Sequence, residues 1–238
     1  MHSWNACLAA SLLALGGALS PSPEETHAHS VQDEEPTEVA PEKAPRPKNA
    51  EELFREFGRL RGLEVAFEEE KYLALLVEPL TTSGTLYFLA PGYLTRRVQK
   101  PRPSMLRIGP KELRMSGPDG EEVLDLRKNE AVRVFVTSLV RIFAGQREEL
   151  ERSFELAYAH DAESETDWTL TLTPRAKPLT EMVKRLKLSG TGRAVRSLEV
   201  FEPNGDRSVT RLLDANPERT FSAEEQAELF GIETPEGE

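Results

Sequence analysis

The sequence predicts an α+β domain in which one curved antiparallel sheet carries its helices on a single face. Three observations predict it. Short stretches of two-residue hydrophobic alternation recur between Leu63 and Leu213, separated by Gly, Pro and Asn turn signals. Helical spacing interrupts the series mainly once, in a strongly apolar stretch over about 130–144. The strand–helix–strand alternation of a parallel sheet is missing, so the strands read as one meander.

Taken in order, Asn49 followed by Glu52 is an Asn-led relative of the capping box, and Leu53, Phe54, Phe57 and Leu60 recur at helical spacing before Gly62. Leu63, Val65 and Phe67 then alternate with Glu64, Ala66 and Glu68, the pattern of a half-buried strand. From Gly84 to Ala90, Leu86, Phe88 and Ala90 share one face and Thr85, Tyr87 and Leu89 the other, so both faces are largely apolar. Pro91-Gly92 turns the chain into a strand over Tyr93–Lys100. Further short strands are expected over Met105–Ile108, Glu112–Met115 and Glu122–Leu126, the last two joined by the turn residues Ser116-Gly117-Pro118-Asp119-Gly120. Val132, Phe135, Val136, Leu139, Val140 and Phe143 form the wide apolar face of a helix that Gly145 ends, and a shorter helix follows over about 146–153. The closing strands are expected at Phe154–Tyr158, around Trp168–Leu172, and at about Met182–Ser189, Ala194–Glu202 and Asp206–Leu213, with Gly190-Thr191-Gly192 and Pro203-Asn204-Gly205 as turns. Ser222 and Glu225 cap a last helix through Phe230.

Charge narrows the function. With 30 Lys and Arg against 41 Asp and Glu in 238 residues, the net charge of −11 repels phosphate backbones, so no nucleic-acid partner is expected. Residues 1–20 carry an apolar run, Ala6–Leu19, of signal-peptide length, followed by small residues suited to cleavage; export is the expectation. The single cysteine, Cys7, lies inside that leader, which leaves the mature chain without thiol chemistry. Residues 21–48 are rich in Pro and Glu and read as a disordered linker, leaving 49–238 as the domain.

Catalytic constellations are scarce. His160 is the one histidine of the predicted domain and reads as a solvated loop residue, His27 and His29 lack any supporting shell for a metal, and Glu68 with Glu70 on one strand face has no His, Cys or aromatic platform to favour acid–base chemistry over solubility. No enzyme, metal or cofactor is expected. Trp168 heads an alternating strand and reads as core. What remains is an excess of apolar side chains around Leu86, Phe88, Leu94, Val98 and the helix bearing Phe135 and Leu139. A curved sheet lidded by helices can enclose an apolar cavity; a fully filled core is the alternative.

The stretch Gly84-Thr-Leu-Tyr-Phe-Leu-Ala-Pro91-Gly92-Tyr-Leu94 resembles the Gly-x-Leu-x-x-x-Arg-Pro-x-x-Phe signature of the LolA-like periplasmic lipoprotein carriers. Asp167 to Pro174 and Leu198 to Asp206 extend the resemblance, which runs from about 49 to 215. It implies an unclosed antiparallel β-barrel whose concave apolar face is covered by helices. It also implies a monomeric, non-enzymatic carrier for an acylated lipoprotein or another lipid cargo, with an inner-membrane donor and an outer-membrane acceptor as partners. The lipid-binding residues would be Leu86, Phe88, Leu94, Val98, Phe135 and Leu139. In such carriers the residue before the signature proline is an arginine that holds the helical lid. Here Ala90 precedes Pro91, Leu94 replaces the usual Phe, and Arg96 stands where an aromatic is common. Arg96 has the strand parity of Leu94 and Val98 and is the candidate substitute for the absent gate arginine, a solvated strand arginine being the alternative. The altered gate keeps a second reading open, a non-transporting envelope interaction or lipid-sensing module of the same shape.

Overall fold

A computed structural model describes residues 45–160 and 164–232. The expected leader and most of the linker lie outside the described residues. Residues 45–48, expected to be linker, instead touch the domain: Pro47 is buried and its carbonyl accepts a hydrogen bond from the Tyr158 hydroxyl.

Helix α1 (Ala50–Phe57) starts where Asn49 accepts from the Glu52 amide, and buries Leu53, Phe54 and Phe57. Six strands follow: β1 (Gly62–Tyr72), β2 (Leu80–Leu89), β3 (Tyr93–Lys100), β4 (Ser104–Ile108), β5 (Glu112–Gly117) and β6 (Gly120–Asp125). Helix α2 (Glu130–Phe143) is capped by Asn129 and leads into the short α3 (Arg147–Glu151). The second strand set is β7 (Phe154–His160), β8 (Asp167–Pro174), β9 (Arg185–Thr191), β10 (Ala194–Phe201) and β11 (Arg207–Asn216); α4 (Leu179–Met182) separates β8 from β9. Met182, expected to open a strand, therefore ends a helical turn. The chain closes on α5 (Ala223–Phe230), where Ser222 and Glu225 form the full capping box.

The strands make a single 11-stranded antiparallel sheet in the order β6-β5-β4-β3-β2-β1-β11-β10-β9-β8-β7. Each half is a meander of neighbours in sequence, and the halves join where β1 pairs with β11, Phe67 opposite Leu212 and Glu69 opposite Thr210. β6 and β7 are the two edges of this order, so the sheet does not close, as the resemblance implies.

Alternation assigns the faces. Leu63, Val65 and Phe67 of β1 lie beside Phe88, Leu86 and Gly84 of β2, and all of these but Gly84 belong to one apolar core with α1 and α2. Tyr87, Leu89 and Tyr93, of the opposite parity, pack with Phe221, Leu229 and Phe230 in a separate cluster under α5. This explains why both faces of β2 read as apolar, and it corrects the expectation that every helix sits on one face: α5 covers the convex side. There the Thr95 hydroxyl donates to the Leu229 carbonyl at 2.7 Å, and Arg97 pairs with Glu228 at 3.5 Å.

Two glycines are required by close approach. A Cβ at Gly84 would stand 2.0 Å from the Arg97 carbonyl oxygen, where β2 and β3 meet at an irregularity in register. Gly145 ends α2 at φ +67°, and a Cβ there would meet the Gly58 nitrogen at 2.3 Å, so it lets the ends of α1 and α2 touch. Gly231 has the same φ of +67° with nothing within 4 Å, which makes it a natural control. Gly231→Ala should cost about 1–2 kcal/mol from the left-handed backbone alone. Gly145→Ala adds a steric clash and should cost about 1–3 kcal/mol more. Urea denaturation of the two variants checks the difference; equal losses would mean that α1 and α2 do not pack as described.

Candidate functional site

The concave face is graded from apolar to ionic. Along β1 the inward positions run Leu63, Val65, Phe67, Glu69, Lys71, and along β2 they run Phe88, Leu86, Gly84, Thr82. Of the nine buried polar or charged side chains among the described residues, seven gather at the far end: Glu69, Lys71, Thr82, Arg96, Glu202, Ser208 and Thr210. At about 3.3 Å per residue, the six steps from Leu63 to Glu69 cover about 20 Å.

Helix α2 covers the apolar part. Beneath it lies a cavity of about 50 Å³ walled by Phe67, Leu86, Leu94, Leu106, Leu139, Phe143 and Leu198 among others, with Arg96 and Thr210 as its polar wall. A wider groove of about 420 Å³ opens beside α1 and shares Phe143, Val195 and Leu212 with that cavity. The cavity holds a few waters at most, whereas the groove falls within the usual size of a ligand site.

Of the expected lipid-binding residues, Leu86, Leu94 and Leu139 line the cavity. Phe88, Val98 and Phe135 are buried core but do not line it; Phe88 packs on Phe143 with ring centroids 5.9 Å apart. Sequence reasoning missed Phe67, Ile142 and the wall from β9 to β11, Leu188, Val195, Leu198 and Leu212. Phe67 was legible by parity with Leu63 and Val65. The far wall was not, because nothing local says that β11 lies against β1. Trp168 is core as expected, its indole donating to the Gly192 carbonyl at 2.9 Å, and His160 is exposed.

Arg96 is not a solvated strand arginine. It is 7% exposed, its guanidinium lies 4.4 Å from the Phe67 ring centroid, and its Nη2 donates to Thr82 Oγ1 at 3.0 Å. The same nitrogen sits 3.4 Å from Oε1 of Glu69, whose Oε2 accepts from Thr210 at 2.9 Å. Beside this pair Lys71 meets Glu202 at 3.4 Å. The Glu69 carboxyl is pushed above the ordinary carboxylate range, because burial outweighs the attraction of Arg96 and the Thr210 hydrogen bond. Glu202 is pushed the same way by burial. Arg96 therefore bonds along the sheet, to β1 and β2, and its hydrogen bond and ion pair do not reach α2. Ala90 is half-buried against the core and its amide donates to the Arg61 carbonyl at 3.0 Å, while Pro91 is exposed. Apolar packing, including Phe143 on Phe88, seats α2 against the sheet.

The family model for outer membrane lipoprotein carrier protein LolA-like proteins matches residues 43–230, the whole sheet with both covering helices. The chain belongs to this LolA-like family. Some solved structures are similar to the chain at low identity. A LolA superfamily protein from Nitrosomonas europaea is 10% identical, with 74% of this chain and 96% of that one aligned at a TM-score of 0.39. A DUF1329 family protein from Desulfovibrio piger is 9% identical over 77% and 97%, at 0.44. The MucA/MucB complex of Pseudomonas aeruginosa gives 11% identity over 70% of this chain and 56% of that one, at 0.43. Among curated protein sequences none matches significantly.

In this LolA-like chain the buried ion pair is the costly part of the concave face. Arg96→Met alone leaves the Glu69 carboxylate buried without its counter-ion and should destabilise by about 3–5 kcal/mol at neutral pH. Part of that loss should return on acidification. A carboxyl held up by burial keeps its proton in the folded state to higher pH than in the unfolded chain, so its stability is full below the ordinary carboxylate range and falls as pH rises through the folded value. Replacing both residues, Glu69→Met with Arg96→Met, should be neutral or stabilising by up to about 4 kcal/mol. Chemical denaturation across pH checks this; a double variant as weak as the single one would show that the pair is net stabilising.

Proposed function

We propose that this chain is a periplasmic carrier that takes acyl chains of a lipoprotein or another lipid into the concave apolar face and passes them from an inner-membrane donor to an outer-membrane acceptor. The observation that carries the reading is the lidded cavity lined by Leu86, Leu94 and Leu139, with Phe143, Val195 and Leu212 shared between it and a groove open to solvent. Burial of a chain there stabilises by about 0.8 kcal/mol per methylene before the costs of ordering. The cavity is too small for an acyl chain while α2 is seated, so loading requires α2 to lift from the sheet. Family membership supports binding rather than catalysis. The apolar run of residues 6–19 supports export to the periplasm.

A second reading, an envelope interaction or sensing module without transport, is favoured by a different feature. The β1–β2 loop presents Leu75 and Val77 fully exposed and Leu76 partly so, and Leu80 at the start of β2 is partly exposed beside them. Such a tip suits a docking partner whether or not the cavity is filled.

Protein purified without detergent should carry extractable acyl lipid close to one equivalent in native mass spectrometry, and should transfer it between vesicle populations. Lipid without transfer would favour the sensing module, and neither would overturn the acyl-binding reading. Leu86→Gln, which puts an amide on the cavity wall, should lower lipid occupancy severalfold with a modest loss of stability. Phe88→Ala, in close-packed core, should instead cost about 3–5 kcal/mol of stability. Urea midpoints and extracted lipid measured on both variants separate the lining from the core.

A further inference from the structure

The polar end of the cavity has no role in acyl-chain burial alone. Arg96 forms part of the cavity wall, yet its Nε and Nη1 donate to none of the described residues; its hydrogen bond and its ion pair both leave from Nη2. Across from it, Oε1 of Glu69 is buried and accepts no hydrogen bond. A guanidinium is a planar fork of five donors, and an acceptor with two oxygens is its natural partner. A separate depression of about 560 Å³ borders the same sheet end, but Glu68, Glu70, Thr81, Ser83 and Arg211 in its lining have the opposite strand parity to Glu69 and Thr82, and Arg211 is already paired with Glu70, which leaves the cavity wall at Arg96 itself as the place for an anion. A head group on Arg96, whose guanidinium stacks on Phe67, places its tail along the apolar face past Phe67 toward Leu63.

We propose that Arg96 is an anion-binding residue, and that the cavity takes a single-chain amphiphile with a carboxylate head, the carboxylate seated on Arg96 and the alkyl chain on the apolar face. The proposal deepens the acyl-binding reading and rests on it. It also settles the charge of the site. The groups packed about Glu69 are Arg96 from β3 and Lys71 from its own strand, with Glu202 beyond Lys71; β2 and β11 face it with the uncharged Thr82 and Thr210. Two cations already balance two carboxylates there. An incoming carboxylate replaces Glu69 as the counter-ion of Arg96, and Glu69 takes a proton from solvent, which burial already favours.

The test compares hexadecanoate with hexadecanol, equal in chain length and different in head, by calorimetric titration into delipidated protein in two buffers of different ionisation enthalpy. Hexadecanoate should bind at least tenfold more tightly, the effect of a buried charge-assisted hydrogen bond. Its apparent enthalpy should differ between buffers by the uptake of about one proton. In the Glu69→Met, Arg96→Met double variant the preference should vanish while hexadecanol still binds. Equal affinities of the two ligands for the natural protein, or a preference that survives in the double variant, would overturn the assignment of Arg96 and leave acyl binding standing. Binding of neither ligand would overturn the acyl-binding reading itself.

Discussion

A curved sheet that does not close into a barrel exposes its apolar inside, and everything else in this fold answers that constraint. Helix α2 is the answer: with Phe135, Val136, Leu139 and Phe143 turned inward it takes the place of the missing wall. A wall made of a separate helix differs from one made of strands. Among the described residues no ladder of backbone hydrogen bonds ties it to the sheet, so side-chain packing holds it there. The contact of Phe143 with Phe88 and the touch between the helix ends at Gly145 and Gly58 set where it sits.

The ionic end follows from the same geometry. Strands long enough to build a deep concave face carry their inward positions beyond the reach of α2, and at Glu69, Lys71 and Arg96 the chain fills that space with paired charge instead of hydrocarbon. Paired buried charge stabilises less than hydrocarbon of equal volume and specifies position more sharply, because an ion slides past its partner at far greater cost than a methyl group does. The gradient from Leu63 to Lys71 gives the interior a direction that an all-apolar cavity would lack.

Most of the architecture was legible from local pattern. Alternation at Leu63–Phe67, the glycine and proline turns and the caps at Asn49 and Ser222 all act between near neighbours, and they stand in the structure where periodicity puts them. What escaped was whatever depends on distant partners. Tyr87 and Leu89 announce an apolar convex face, but only Phe221 and Phe230, more than a hundred residues on, show what covers it. Arg96 follows the same rule. Its parity was readable, while its burial depends on Glu69, Thr82 and Phe67 arriving from two other strands. Phe88 and Phe135 carry as much hydrophobicity as Leu86, and composition cannot say which of them meets a void.

The junction of β1 with β11 also orders events in time. Every other pairing in the sheet joins strands adjacent in sequence, so the two meanders can zip from local contacts. This one waits for Arg207–Asn216, and contacts of such sequence separation form slowly. Until β11 docks, β1 is an open edge beside half a core, a surface prone to pairing with other chains. A nascent chain of this kind cannot complete its core until its last strand has been made.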